Sequence, residues 1–162
     1  MNDTIIVFKE RNFHFGLFQY DVIHRIPLDQ IWISPMGNQF KFWKFEKKNN
    51  TLDGILVHLG SQLSSSPVYF SHKGGIFITK SNNNLHFGIF SQNIVCEIKI
   101  AMDGNNFLNR NQIGRYPPGI ALESYQGFYR YKRKMIFIID PVKFDESVKS
   151  LKVFPALNLR GS

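Results

Sequence analysis

The sequence predicts a mostly β domain of seven to nine strands with two short helices. The apolar segments are short and rich in β-branched and aromatic residues, as strands are. Clusters of Gly, Asn, Ser and Pro separate these segments, as turns do. The chain has 162 residues, of which 43% are hydrophobic, and this is enough apolar material for one packed core.

The first part of the chain is expected to hold three strands and a short helix. The segments with strand character are residues 5–9, 13–20 and 22–26. Pro27 cannot donate a hydrogen bond to a strand ladder, but it is a good first residue of a helix. Leu28, Ile31 and Trp32 then follow at helical spacing, so a short helix is predicted there.

Segments with strand character continue as far as residue 139. They are residues 40–46, 51–59, 68–70, 75–79, 85–90, 94–101, 120–124 and 135–139. Residues 103–119 are rich in Asn, Gly and Pro, so a long loop is expected. Asp140 as N-cap and Pro141 as first residue favour a helix start, and a final helix is predicted over residues 141–152.

Charge and cysteine content restrict the function classes. The formal net charge is +8, which favours binding to polyanions. Cys96 is the single cysteine, so a disulfide within the chain is excluded and a reducing, cytoplasmic location is expected. The apolar runs are far shorter than the roughly 20 residues of a membrane span, and no signal peptide is seen.

Residues 1–160 are expected to form a single domain, because no internal repeat or low-complexity linker divides them. Gly161 and Ser162 resemble a cloning remnant.

The residues suggest little catalytic chemistry. None of the five histidines has a His or Cys partner at zinc-ligand spacing, and no phosphate-binding loop or nucleophile elbow is present. We therefore predict no catalytic residue, no metal and no cofactor. One enzymatic alternative stays open, a metal-dependent nuclease in which Glu97 holds Mg²⁺, Lys99 polarises the attacking water, and an acid such as Asp53 completes the site.

Basic side chains are concentrated in three segments of the sequence. They are residues 9–14, 109–118 and 129–134. The second segment combines Arg, Asn and Gln, the side chains that make bidentate contacts to base edges in the major groove. The third suits phosphates, which give affinity without sequence information.

The segments at residues 5–12, 24–28 and 109–116 resemble the B-three-like pseudobarrel, a DNA-binding fold. The resemblance implies an open pseudobarrel whose two loop arms clasp the major groove of double-stranded DNA. The residues that it places in contact with DNA are Lys9, Arg11, Asn12, Gln19, Asn109, Arg110, Asn111, Gln112 and Arg115. Arg130 and Lys132 in the third basic segment are expected to contact phosphates.

Size and charge are also similar to the N-terminal specificity domain of a McrB-type, LlaJI-like restriction endonuclease. This similarity implies a domain that is not itself catalytic. It would choose the DNA site while a fused GTPase motor domain and a nuclease subunit do the rest.

Two further non-catalytic readings remain open. One is a modified-base reader of the PUA-like, YTH or EVE type, which flips a base between aromatic walls such as Trp32 and Trp43. We expect both tryptophans in the core instead, because large aromatic side chains are usually highly buried. The other is a lectin-like or capsid-like sandwich with no role in nucleic-acid binding.

Overall fold

The structure, a computed structural model, describes residues 2–36, 42–48, 52–63, 69–71, 73–79, 86–101 and 104–149. Within these residues, eleven strands form two mixed sheets accompanied by two short α-helices. The prediction of a mostly β chain is confirmed. The predicted count of seven to nine strands is too low, and the single open pseudobarrel is replaced by two sheets.

Sheet A contains five strands. They are β1 (Asn2–Glu10), β2 (Phe13–Phe18), β9 (Ile94–Ala101), β10 (Tyr125–Tyr131) and β11 (Lys134–Ile139). Their order across the sheet is β10-β11-β2-β1-β9, with β11 and β2 parallel and the other neighbours antiparallel.

Sheet B contains six strands. They are β3 (Val22–Ile26), β4 (Ile31–Met36), β5 (Phe42–Lys47), β6 (Asp53–His58), β7 (Gly75–Thr79) and β8 (His86–Ser91). Their order is β3-β7-β8-β6-β5-β4, so β4 is an edge strand. Helix α1 (Leu59–Leu63) follows β6 and helix α2 (Pro141–Lys149) follows β11; among the described residues neither is long and apolar enough to cross a membrane.

Aromatic rings fill the space between the two sheets. Phe8 of β1 stacks on Phe77 of β7 with ring centroids 5.8 Å apart, and Phe87 of β8 meets Phe144 of α2 at 5.8 Å. The residues that alternate with them in these strands are also buried, in separate clusters on the other face of each sheet. Strands buried on both faces explain why the sequence shows continuous apolar runs instead of a polar and apolar alternation.

A buried carboxylate fastens the connection that crosses from sheet B to sheet A. Glu10, at the end of β1, is only 5% exposed. Its Oε1 accepts hydrogen bonds from Ser91 Oγ at 2.8 Å and from Gln92 N at 3.0 Å. Ser91 ends β8 in one sheet and β9 begins three residues later in the other, so Glu10 fixes the point where the chain changes sheets.

A buried histidine lies beside this connection. His58 Nε2–H donates to the carbonyl of Tyr69 at 2.9 Å, and its Nδ1 accepts from Ser61 N at 3.3 Å. Both ring nitrogens are therefore used in the neutral form. Burial lowers the pKa of His58, and the Tyr69 hydrogen bond and the Glu10 charge oppose this shift.

The predicted secondary structure fails in three places within the described residues. The predicted helix after Pro27 is instead a 3₁₀ turn at Leu28–Gln30 followed by strand β4, and the ladder that pairs β4 with β5 along its whole length overrides the local helical pattern. The predicted strand at residues 120–124 is a 3₁₀ turn at Leu122–Ser124, and β10 begins immediately after it. Of the strand predicted at residues 68–70, residues 69 and 70 are described and lie in no strand.

The final helix is confirmed over its described part. Asp140 Oδ1 accepts from the backbone N–H of Val142 at 3.1 Å and of Lys143 at 3.2 Å, as an N-cap does. The remainder of the predicted helix, and Gly161 and Ser162, lie outside the described residues.

We predict that Glu10→Ala lowers the free energy of unfolding by about 3 kcal/mol, because Ser91 Oγ and Gln92 N lose their acceptor in a buried place. Glu10→Gln keeps the acceptor oxygen and should cost only about 1 kcal/mol. Denaturant unfolding measures both values. The control is Glu46→Ala, which removes an exposed salt bridge to Lys44 and should change stability by less than about 0.5 kcal/mol. Equal losses for Glu10→Ala and Glu46→Ala would contradict this account of the connection.

Candidate interaction surfaces

The first candidate surface is a cluster of cations at one end of sheet A. Two short hairpin turns lie there, because β2 and β11 are parallel neighbours and each begins at this end. The β1–β2 turn carries Arg11, and the β10–β11 turn consists of Lys132 and Arg133. We call this surface the basic end; its exposed cations are Lys9, Arg11, Arg115, Lys132, Arg133 and Lys134.

All three turn cations adopt backbone conformations that usually favour glycine or asparagine. The φ angles are 55° at Arg11, 47° at Lys132 and 65° at Arg133. Two successive positive values match the tight hairpin turn in which Asn-Gly is the preferred sequence. Each non-glycine residue in this region costs on the order of 1 kcal/mol. The chain therefore places long cationic side chains where smaller residues would be more stable.

The positive charges of the basic end act on the neighbouring side chain of His14. His14, in β2, is the cross-strand partner of Lys9. Burial lowers the pKa of His14 first, and the positive charges of Lys134 and Lys9 lower it further. Three cationic or titratable side chains from three adjacent strands thus act on one another.

Carboxylates of the described chain do not neutralise most of these cations. Within the described residues, Lys9, Lys132, Arg133 and Lys134 have no carboxylate within 4 Å. The acid closest to them in sequence is Glu10, whose carboxylate is buried on the Ser91 side. The basic end is therefore charged towards solvent.

The loop that was predicted as a second DNA-binding arm packs against the domain. The Arg115 guanidinium lies 5.4 Å from the centre of the Phe13 ring, and the Tyr116 ring lies 5.8 Å from Phe128. Arg115 is consequently next to the β1–β2 turn instead of facing it across an open space. A major groove is about 12 Å wide, so two segments in contact cannot clasp a duplex between them.

The same loop is fastened to sheet B at Gly119. This residue has φ +79°, and a Cβ placed on it would overlap the carbonyl oxygen of Gln62 in α1. Only glycine allows the loop to approach α1 so closely. The loop therefore covers the rim of the core between the sheets.

The other predicted DNA-contacting residues do not converge on one site. Gln19 follows β2 at the end opposite Arg11, roughly 20 Å away along the strand. Gln112 Oε1 accepts from the backbone N–H of Asn109 at 2.8 Å and stabilises a local turn.

All eleven predicted DNA-contacting residues are exposed, and they include Asn12, Arg110, Asn111 and Arg130. Asn12 lies in the β1–β2 turn and Arg130 precedes the last residue of β10, so both border the basic end.

The second candidate surface is an apolar pocket of about 320 Å³ on sheet B. Its lining residues are Leu28, Ile31, Trp32, Ile33, Pro35, Trp43, Lys48 and Phe70. Trp32 is 64% exposed on the edge strand β4, and Lys48 Nζ lies 4.3 Å from the centre of its ring. Trp43 is buried and meets Phe70 edge to face at 5.1 Å. The prediction of a place in the core is right for Trp43 and wrong for Trp32. We call this surface the Trp32 pocket.

The predicted nuclease residues do not form a site. Glu97 and Lys99 are exposed on β9 at the edge of sheet A, whereas Asp53 begins β6 in sheet B. No three His, Cys, Asp or Glu side chains of the described residues are grouped as metal ligands.

The comparisons with known proteins give one informative result. No family model matches the sequence, and no curated protein matches it. Among solved structures, the chain is similar to the scaffolding protein TtCheW from Thermoanaerobacter tengcongensis, with a TM-score of 0.65 at 18% identity. The likeness covers 89% of this chain and 88% of that chain, so it shows the fold of nearly the whole described domain.

This result overturns the B-three-like resemblance and what it implied. The fold is similar to that of TtCheW and is not a B-three-like pseudobarrel, so the prediction of a DNA-binding specificity domain of a restriction system, which depended on that resemblance, is wrong. The double-stranded DNA partner, the fused GTPase motor and the nuclease subunit are wrong with it.

We predict that Gly119→Ala destabilises the chain by about 2 kcal/mol or more, because the new Cβ overlaps the Gln62 carbonyl and φ is unfavourable for alanine. Gly114→Ala in the same loop is the matched control, since a Cβ there has open space around it. That control should shift stability by less than about 0.5 kcal/mol. Thermal and denaturant unfolding measure both. A neutral Gly119→Ala would show that the loop does not dock on α1.

Proposed function

We propose that this chain is a non-catalytic scaffold domain that binds other proteins. The observation that carries the proposal is the likeness of nearly the whole chain to the solved structure of the scaffolding protein TtCheW. A scaffold needs exposed surfaces of distinct chemistry, and this chain has two on different sheets. A cytoplasmic location, expected from the single Cys96, fits this proposal.

The exposed tryptophan of the Trp32 pocket supports the proposal, because it can anchor a protein partner. Tryptophan is among the residues that contribute most to protein–protein binding, because it buries a large rigid area and loses little conformational entropy. A Trp that is 64% exposed beside an apolar pocket leaves that area available. The pocket is large enough for one or two apolar side chains of a partner.

The edge position of β4 keeps this surface accessible. Among the strands that the structure describes, β4 pairs only with β5, so its other edge faces away from the sheet. Pro35 lacks an N–H and therefore weakens strand addition along that edge. A partner is therefore expected to bind through side chains in the pocket and not by extending the sheet.

We predict that Trp32→Ser weakens binding to a protein partner by about thirtyfold, the usual effect of removing a central aromatic anchor. Partners are recovered from source cells on the immobilised chain, identified by mass spectrometry, purified and titrated by calorimetry. Because Trp32 is mostly exposed, the stability of the free chain should change little.

The matched control is Val95→Ser, which removes an exposed apolar side chain from the edge strand of the other sheet. It should leave affinity within about twofold. If no protein is recovered above the level of empty resin, the scaffold proposal fails. If partners bind Trp32→Ser and Val95→Ser equally well, the pocket is not the binding surface.

A further inference from the structure

We propose that the basic end binds an acidic segment of a separate protein. This inference rests on the proposed scaffold function, which it extends by naming the chemistry of one partner. It is carried by the convergence of five cations at the ends of four neighbouring strands, with Arg115 added from the loop that packs on Phe13. Most of these cations are unneutralised within the described chain.

The geometry makes these cations a single surface. The strands β1, β2, β11 and β10 are consecutive in sheet A, and neighbouring strands are about 4.8 Å apart. The row of cations therefore spans about 15 Å. This length matches four or five residues of an extended peptide, which rise about 3.3 Å each.

The backbone at the two turns indicates that charge is kept there at the expense of stability. Lys132 and Arg133 occupy the two central positions of a hairpin turn in which both φ angles are positive. Asn-Gly would be more stable at these positions. In the adjacent β1–β2 turn, Arg11 also has a positive φ, whereas Asn12 after it does not. Strain of this kind is concentrated where a protein binds or reacts.

The acidic cluster on a second copy of this chain is a poor alternative partner for the basic end. This cluster lies around Tyr20 near the opposite end of sheet A and consists of Asp3, Asp21 and Asp140. Burial raises the pKa of Tyr20, and the negative charges of the three aspartates raise it further. Their side chains have internal roles, since Asp140 caps α2 and Asp21 accepts from Gln126 Nε2 at 3.1 Å. The net charge of +8 also makes two copies repel each other. A separate acidic segment meets neither obstacle.

The test uses a double substitution that removes two charges from the β10–β11 turn and stabilises the turn. Lys132→Asn with Arg133→Gly gives the preferred Asn-Gly turn, so this double variant should be at least as stable as the wild type. A fluorescein-labelled peptide of twelve alternating Asp and Glu residues is titrated with each protein, and anisotropy is recorded at 50 mM and 200 mM salt. We expect the turn variant to bind about fivefold to tenfold more weakly, and salt to weaken the wild type.

The matched control removes two charges elsewhere. Lys73→Asn with Lys99→Gln changes two exposed lysines outside the basic end and leaves the same net charge as the turn variant. This control should bind within about twofold of the wild type. Equal weakening of both double variants would show a general effect of net charge and would overturn the proposal.

Other binding partners give distinguishable outcomes. A 12-base-pair duplex or vesicles with 30% phosphatidylserine that bind the basic end more tightly than the peptide would overturn the proposal. Concentration-dependent dimers of the wild type, lost in the turn variant, would assign the surface to a second copy. If the captured partners bind the turn variant as well as wild type, this inference fails while the scaffold function stands. If no protein partner is captured at all, the scaffold function fails instead.

Discussion

The packing of aromatic rings between the two sheets is the constraint on which the structure depends. Phe8 and Phe77 stack across the interface, and Phe87 extends the contact to α2. The chain changes sheets twice, from β2 to β3 and from β8 to β9, and buried polar groups at a crossing must be hydrogen-bonded. Glu10 provides these hydrogen bonds where the chain passes from β8 to β9. Gly119, in the loop that joins β9 to β10 within sheet A, lets that loop approach α1.

The surface chemistry follows from this arrangement. Because β2 and β11 are parallel neighbours, the β1–β2 and β10–β11 turns lie side by side, and so do their cations. The loop at residues 109–116 packs over the rim of the core and adds Arg115 to the same surface. Trp32 lies on the edge of the other sheet, where none of the described strands covers it. The two candidate surfaces thus belong to different sheets, and one need not compete with the other.

The sequence predicted those elements whose pattern is local and strong. Residues 94–101 are rich in β-branched and apolar residues, and the strand has these bounds. Asp140 was likewise identified as a helix cap. Trp32 could not be assigned, because Leu28, Ile31 and Trp32 fit a helical spacing equally well and only pairing with β5 decides for a strand. The basic segments were visible, but their convergence depends on pairing of His14 with Ile136, more than a hundred residues apart. The resemblance to a DNA-binding fold failed for the same reason, since a basic loop in a sequence does not reveal what it packs against.

The central claim is that the basic end is a surface for protein binding, and hydrogen–deuterium exchange of the chain with a captured partner tests it most directly. The account predicts slower exchange in residues 9–14 and 130–135 when the partner is bound, with unchanged exchange along the exposed edge of β9. Slower exchange confined to β9, or no change in the two turns at saturating partner, would contradict it.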